Sequence, residues 1–149
     1  MSLLAGEGLA VELPPGWEGA IGRSTELPDG AQRNVVAHFA SFSLPPRRGD
    51  FGGGAVDLMD SGDALVVLFD YGQSAVGSAL FASEGVPSVM ASDFDRDTLQ
   101  KSIPGQSGVQ RFFTVAERAF CLYVVVGSHI DRADVIPAVN QVLGSLRIS

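Results

Sequence analysis

The chain has 149 residues, of which 46% are hydrophobic and 18% are charged, and its formal net charge at pH 7 is −7. This length is typical of one domain of roughly 100–200 residues, and it suffices for a core without covalent cross-links. We therefore predict a single domain over residues 1–149.

The acidic balance argues against nucleic acid as a partner, because binding to nucleic acid depends on Lys and Arg that neutralise phosphates. The lone cysteine, Cys121, excludes an internal disulfide.

The N-terminal sequence does not have the pattern of a targeting segment. It lacks a positively charged n-region, and its apolar stretch is interrupted by Gly6, Glu7 and Gly8. No apolar run elsewhere approaches the ~20 residues that a helix needs to cross a bilayer. We therefore expect a cytoplasmic protein without a membrane span.

The first half of the chain contains short strand patterns separated by Pro and Gly. Apolar residues alternate over Leu9–Leu13, and the same period continues over Glu18–Ser24. Leu27-Pro28-Asp29-Gly30 has the composition of a turn. A third strand is predicted at Val35–Leu44, which is rich in β-branched and aromatic residues, and Pro45–Gly54 reads as a loop.

The second half contains the most apolar segments. Ala64–Tyr71 and Ala119–Val126 are apolar at both odd and even positions, which is typical of central strands covered on both faces. Val109–Ala116 precedes Ala119–Val126 with only Glu117-Arg118 between them, and this spacing predicts a tight hairpin. A helical turn is predicted at Asp95–Ser102.

The end of the chain has helical periodicity. Apolar residues recur every three or four positions, and Pro137 is best tolerated in a first turn, so we predict a helix over Asp134–Leu146 with Asp134 as its N-cap. A start at Asp131 would instead produce a kink near Ala133. Strands followed by a terminal helix predict an α+β fold, with an antiparallel sheet of about six strands and the C-terminal helix packed on one face.

No catalytic constellation is complete in the sequence. The only histidines are His38, within a strand, and His129, at a strand-to-helix connection where loops often carry function. His129 is therefore the candidate functional loop residue. Cys121 lies inside an apolar strand, where a buried and unreactive thiol is expected.

Acidic residues are concentrated in the middle of the chain. Residues 49–95 contain eight Asp and Glu and no Lys or Arg. Such a segment could attract a cation or a basic partner, although a solvated acidic surface is the simpler interpretation. The candidate contacts for a partner or a cation are Asp57, Asp60, Asp63, Asp93 and Asp95.

The last two of these acids belong to an incomplete calcium motif. Asp93, Asp95 and Asp97 have the spacing of the first EF-hand ligands, but Thr98 and Pro104 replace the required Gly and Glu. An EF-hand is therefore excluded, and no metal or cofactor is predicted. The nine Phe residues exceed the need of a single core layer, so either both sheet faces are covered or one face carries a ligand groove or a partner patch.

The two ends of the chain resemble a known family. The opening LAVELPPGWEGAIGR, with Val11, Leu13 and the Pro15-Gly16-Trp17 turn, is similar to the start of PsbP-related domains, including the actinobacterial LpqN-type lipoproteins. The closing RAFCLYVVVGS and VIPAVNQVLGSLRI resemble the last strand and helix of that group. The resemblance implies an antiparallel sheet flanked by helices in an accessory or binding protein. No lipobox cysteine lies near the start, so a lipid anchor is not expected.

These observations predict a non-catalytic binding or accessory module that acts through protein–protein contacts or a small apolar ligand. The alternative is a small hydrolase or metal-dependent enzyme that uses His129 with nearby acids. A third hypothesis is a homo-oligomeric subunit that associates through an open sheet edge.

Overall fold

A computed structural model of the chain describes residues 1–24 and 34–149, so the turn predicted at Leu27-Pro28-Asp29-Gly30 lies outside the described residues. The described residues form an α+β fold, as predicted. The strands are β1 Ser2–Gly6, β2 Leu9–Leu13, β3 Glu18–Arg23, β4 Val35–Ala40, β5 Ala64–Gly72, β6 Ser107–Val115, β7 Arg118–Val126 and β8 Arg147–Ile148, and the helix is α1 Arg132–Ser145.

The strands form two antiparallel sheets, where the sequence predicted one sheet of about six strands. The larger sheet has the order β3-β4-β5-β7-β6, and the smaller one has the order β1-β2-β8. Strand β1 has no clear apolar alternation and β8 has only two residues, so neither carried a recognisable signal. The predicted central strands are confirmed, because β5 and β7 lie side by side within the larger sheet.

Both faces of the larger sheet are covered. On one face, Leu68 and Leu122 belong to a cluster that includes α1 and β2, which we call the helix-side core. On the other face, Val67 and Tyr123 pack with Val56 and its neighbours in irregular segments, which we call the loop-side core. The predicted packing of the terminal helix on one face is therefore confirmed.

The two cores account for eight of the nine Phe residues, and the ninth, Phe81, is buried edge-on against Phe112. Phe113 is buried in the helix-side core, whereas its neighbour Phe112 packs against the loop-side core. On the loop side, the rings of Phe51 and Phe69 stack at 5.3 Å between centroids. The alternative in which both faces are covered is therefore correct.

The helix begins earlier than predicted. It starts at Arg132 with Asp131 as N-cap, so Asp134 is a first-turn residue and Pro137 is the sixth residue of the helix. Proline there removes one backbone hydrogen bond. The earlier start adds two hydrogen bonds, because the guanidinium of Arg132 donates to the carbonyls of Ala91 (2.8 Å) and His129 (2.6 Å). Within the described residues no helix is both long and apolar enough to cross a membrane.

The β6–β7 hairpin is tight, as predicted, but its turn lies one residue earlier. Val115 pairs with Arg118, so the turn residues are Ala116 and Glu117, with φ of 52° and 61°. Positive φ at both positions is the geometry of a type I′ turn, which suits the twist of the adjoining strands. The predicted helical turn at residues 95–102 is only a short 3₁₀ helix over Arg96–Thr98.

Residues 45–63 form the irregular segment that covers the loop-side core, and we call it the covering segment. Two close backbone approaches shape it: one joins Asp60 to Gly127 at the end of β7, and the other folds Gly54 against Arg47 within the segment itself. A Cβ on Gly127 would lie 1.9 Å from the Asp60 carbonyl oxygen, and a Cβ on Gly54 would lie 2.3 Å from that of Arg47. Only glycine permits these approaches. Gly52 has φ of 78° and is buried against Leu65 of β5, whereas Gly54 is exposed.

Candidate functional site

A buried polar network joins the covering segment to the edge of the larger sheet. His38 on β4 is 5% exposed, and its ring nitrogens contact two residues of the covering segment. Arg48 Nε donates to His38 Nδ1 (3.2 Å), so the proton of a neutral ring resides on Nε2, which donates to the Asp50 carbonyl (3.0 Å). The fully buried Ser24 hydroxyl donates to the Asp50 carboxylate.

Burial keeps His38 neutral at pH 7. Burial, followed by the nearby Arg48 charge, lowers the pKa of His38 from 6.5 to about 4. Both ring nitrogens are occupied by protein groups, so the ring is not available to accept a proton from a bound molecule at neutral pH. His38 therefore has a structural role: its ring holds the Arg48 side chain and the Asp50 backbone in place through one hydrogen bond to each.

The surface above this network is a groove formed by the start of the covering segment. Two adjoining pockets of about 380 and 400 Å³ share Arg47, Arg48, Gly49 and Asp50. We call their combined surface the basic groove. His38 and Arg23 line the first pocket, and Lys101 lines the second.

The predicted acids at the other end of the covering segment have different environments. The Asp57 carboxylate forms an ion pair with Lys101. The Asp63 carboxylate accepts from Ser41 Oγ (2.9 Å) and from the Asp60 amide (2.9 Å), which closes a turn. The carboxylate of Asp60 accepts no hydrogen bond from the described residues and is exposed to solvent.

The acids of the incomplete calcium motif also have local roles. Asp93 accepts from the Met90 amide (2.8 Å) and forms an ion pair with Arg111 (2.9 Å). Asp95 accepts from the Asp97 amide (2.7 Å) and caps a 3₁₀ turn. Among the described residues, no group of three or more His, Cys, Asp or Glu is placed to hold a metal ion.

His129 and Asp95 do come together. They line a pocket of about 470 Å³ with Phe94, Arg96 and Asp97. His129 Nδ1 is buried and has no hydrogen-bond partner among the described residues. Desolvation lowers the pKa of His129, and the nearby arginines lower it further, so the ring is neutral at pH 7.

Cys121 is fully buried and accepts a hydrogen bond from Gln110 Nε2 (3.3 Å). Burial raises the pKa of its thiol, which keeps the sulfur protonated at neutral pH. Cys121 is therefore the buried thiol that the sequence predicted.

Sequence reasoning missed the buried polar network. The sequence places His38 within a strand, but it does not indicate Ser24, Arg48 or Asp50 as site residues. A signal was present, because His38 is a polar residue inside the otherwise apolar run VVAHFA. A buried polar group needs partners, and the charged RRGD stretch was a nearby source of them.

Comparisons with protein-family models, with curated proteins and with solved structures find no match for this chain.

Proposed function

We propose that this chain is a non-catalytic binding module that contacts a protein partner through the covering segment, residues 45–63. The observation that carries the proposal is the buried network of Ser24, His38, Arg48 and Asp50, which fixes an irregular segment on a sheet buried on both faces. Binding residues are commonly presented by loops that a rigid scaffold positions.

The outer surface of the covering segment has the composition of a contact patch. Leu58 is 56% exposed and lies between the exposed acids Asp57 and Asp60. The opposite end of the segment carries the exposed Arg47. An apolar residue with charges of both signs around it suits an interface whose charges fix the orientation of the partner.

A protein partner is favoured over a small apolar ligand. Eight of the nine Phe residues that suggested an apolar ligand lie in or against the two cores, and Phe81 is buried against Phe112. The pockets beside the covering segment are lined largely by charged residues and glycine. The resemblance to PsbP-related domains, whose members are mostly accessory or binding proteins, supports the same class of function.

The test is affinity capture from the source cell with matched leucine variants. Leu58→Ser alters the covering segment, and the control Leu3→Ser alters β1, where Leu3 is 74% exposed. We expect a protein that is captured by the wild type and by Leu3→Ser but lost with Leu58→Ser or with Asp60→Asn. Equal capture by all four proteins would exclude the covering segment as the contact surface.

A second candidate function is a hydrolytic activity at His129. The observation that favours it is the pocket shared by His129 and Asp95, in which the imidazole is neutral and Nδ1 has no described partner. However, none of the described residues that line this pocket is Ser, Thr or Cys, so His129 would have to activate a water molecule. His129→Ala should then abolish any hydrolysis of an ester panel, and retained activity would refute this role.

A further inference from the structure

The cations of the basic groove are unusual for so acidic a protein. The chain has a net charge of −7, and only ten of its residues are Lys or Arg. Two of them, Arg47 and Arg48, line both pockets of the groove, and Lys101 lines the second pocket. Asp50 lines both pockets as well, but cations outnumber acids along the groove, and the exposed Arg47 has no ion pair or hydrogen bond with any described residue.

The second arginine is held in a fixed orientation. Arg48 Nε donates to His38 Nδ1, and Nη1 donates to the Pro45 carbonyl (3.0 Å). Nη2 donates to no described atom, so part of the guanidinium remains for a ligand. A guanidinium fixed by its neighbours loses less conformational entropy when it binds a planar oxyanion, such as a carboxylate, through two hydrogen bonds.

The shape of the groove indicates an extended ligand. Its two pockets adjoin along residues 47–50 and together exceed the space that one small anion would fill. Lys101 lies at the far end, beside Asp57, which limits the net positive charge there. Long polyanions such as nucleic acid would also meet the acidic surface of the rest of the chain, whereas a short acidic segment would not.

We propose that the basic groove binds a carboxylate-bearing segment of the partner protein, with Arg47 and Arg48 as the carboxylate contacts. The inference rests on the proposed function, because it names the chemistry of the partner at one end of the covering segment. Arg48 is oriented by His38, and Arg47 is the exposed contact.

The experiment measures binding of a fluorescently labelled oligoglutamate peptide by anisotropy at low ionic strength. We expect saturable binding that weakens as salt is added, and no binding of the matching oligoglutamine peptide. Arg47→Ser should weaken binding by about tenfold, the effect of losing one charge-assisted hydrogen bond. The matched control is Arg96→Ser, because Arg96 is also exposed and has no ion pair with a described residue, but lies beside Asp95 and Asp97.

Three results would overturn the inference: equal binding of oligoglutamine, equal weakening by Arg96→Ser, or no weakening by Arg47→Ser. Competition with inorganic phosphate distinguishes a site for a small anion from a site for an acidic peptide. If phosphate displaces the peptide at concentrations below those of free glutamate, the groove is a small-anion site and the peptide proposal fails. Loss of partner capture by Leu58→Ser without oligoglutamate binding would leave the proposed function standing while this inference fails.

Discussion

His38 makes stability depend on pH. Its pKa is 6.5 in the unfolded chain and about 4 in the folded protein, so between these values the unfolded state binds more protons. Stability must therefore fall as the pH decreases from about 6.5 towards 4. The shift corresponds to a loss of about 3 kcal/mol once the pH is below both values.

The prediction is tested with His38→Gln. The glutamine amide can still donate to the Asp50 carbonyl, but it does not titrate. We expect urea unfolding to show a smaller loss of stability between pH 6.5 and pH 4 in the variant than in the wild type. His129→Gln serves as the comparison and should retain most of the wild-type dependence, because His129 is only half-buried. Identical slopes in wild type and His38→Gln would contradict the assignment.

At the scale of elements, α1 contains a proline in its second turn, whereas the sequence predicted that this proline lies in the first turn. Pro137 is exposed at the sixth helical position, where its missing N–H leaves the Ala133 carbonyl without its helical partner. Packing of Ile136, Val139, Val142 and Leu143 into the helix-side core holds the helix together despite this loss.

Pro137→Ala should therefore stabilise the protein. Alanine restores one backbone hydrogen bond and has the highest helix propensity, although it makes the unfolded chain more flexible. We expect a net gain of about 1–2 kcal/mol in the free energy of unfolding, measured by urea denaturation. Pro104→Ala, in an exposed turn, makes the unfolded chain more flexible in the same way but restores no helical hydrogen bond. This control should therefore not increase the free energy of unfolding. A destabilised Pro137→Ala variant would show that the proline is favoured in its present position.

At the scale of the whole molecule, the two cores share one sheet. Val124 belongs to the helix-side core, and the next residue of β7, Val125, belongs to the loop-side core. Successive residues of a strand point to opposite faces, so neither core can be lost without disturbing the strands that support the other. The predicted single domain should therefore unfold in one cooperative step.

Calorimetry of Val124→Ala and Val125→Ala tests this coupling. Each truncation should cost about 2 kcal/mol and shift one undivided transition to lower temperature. Leu80→Ala is the control, since Leu80 is 59% exposed and its truncation should change stability by less than about 0.5 kcal/mol. Two separate transitions in either valine variant would show that the cores unfold independently.

The sequence by itself determined the α+β class, the central strands and the terminal helix. Each of these can be predicted from the spacing of apolar residues, because buried positions are mostly apolar. The runs 64–71 and 119–126 are apolar at odd and even positions because both faces of these strands are covered. The predicted N-cap of α1 was wrong by three residues, because a local rule for proline was outweighed by the contacts of Arg132 with Ala91 and His129.

Only the tertiary structure decided the candidate site. Ser24 and Asp50 are 26 residues apart, and His38 contacts Asp50 across 12 residues. Their meeting depends on how the covering segment folds, which requires the close approach of Gly54 to Arg47 within the segment and that of Gly127 to Asp60 at the end of β7. Such contacts produce no periodic pattern in the sequence, because a hydrogen bond between residues far apart in the chain does not require any particular spacing between them.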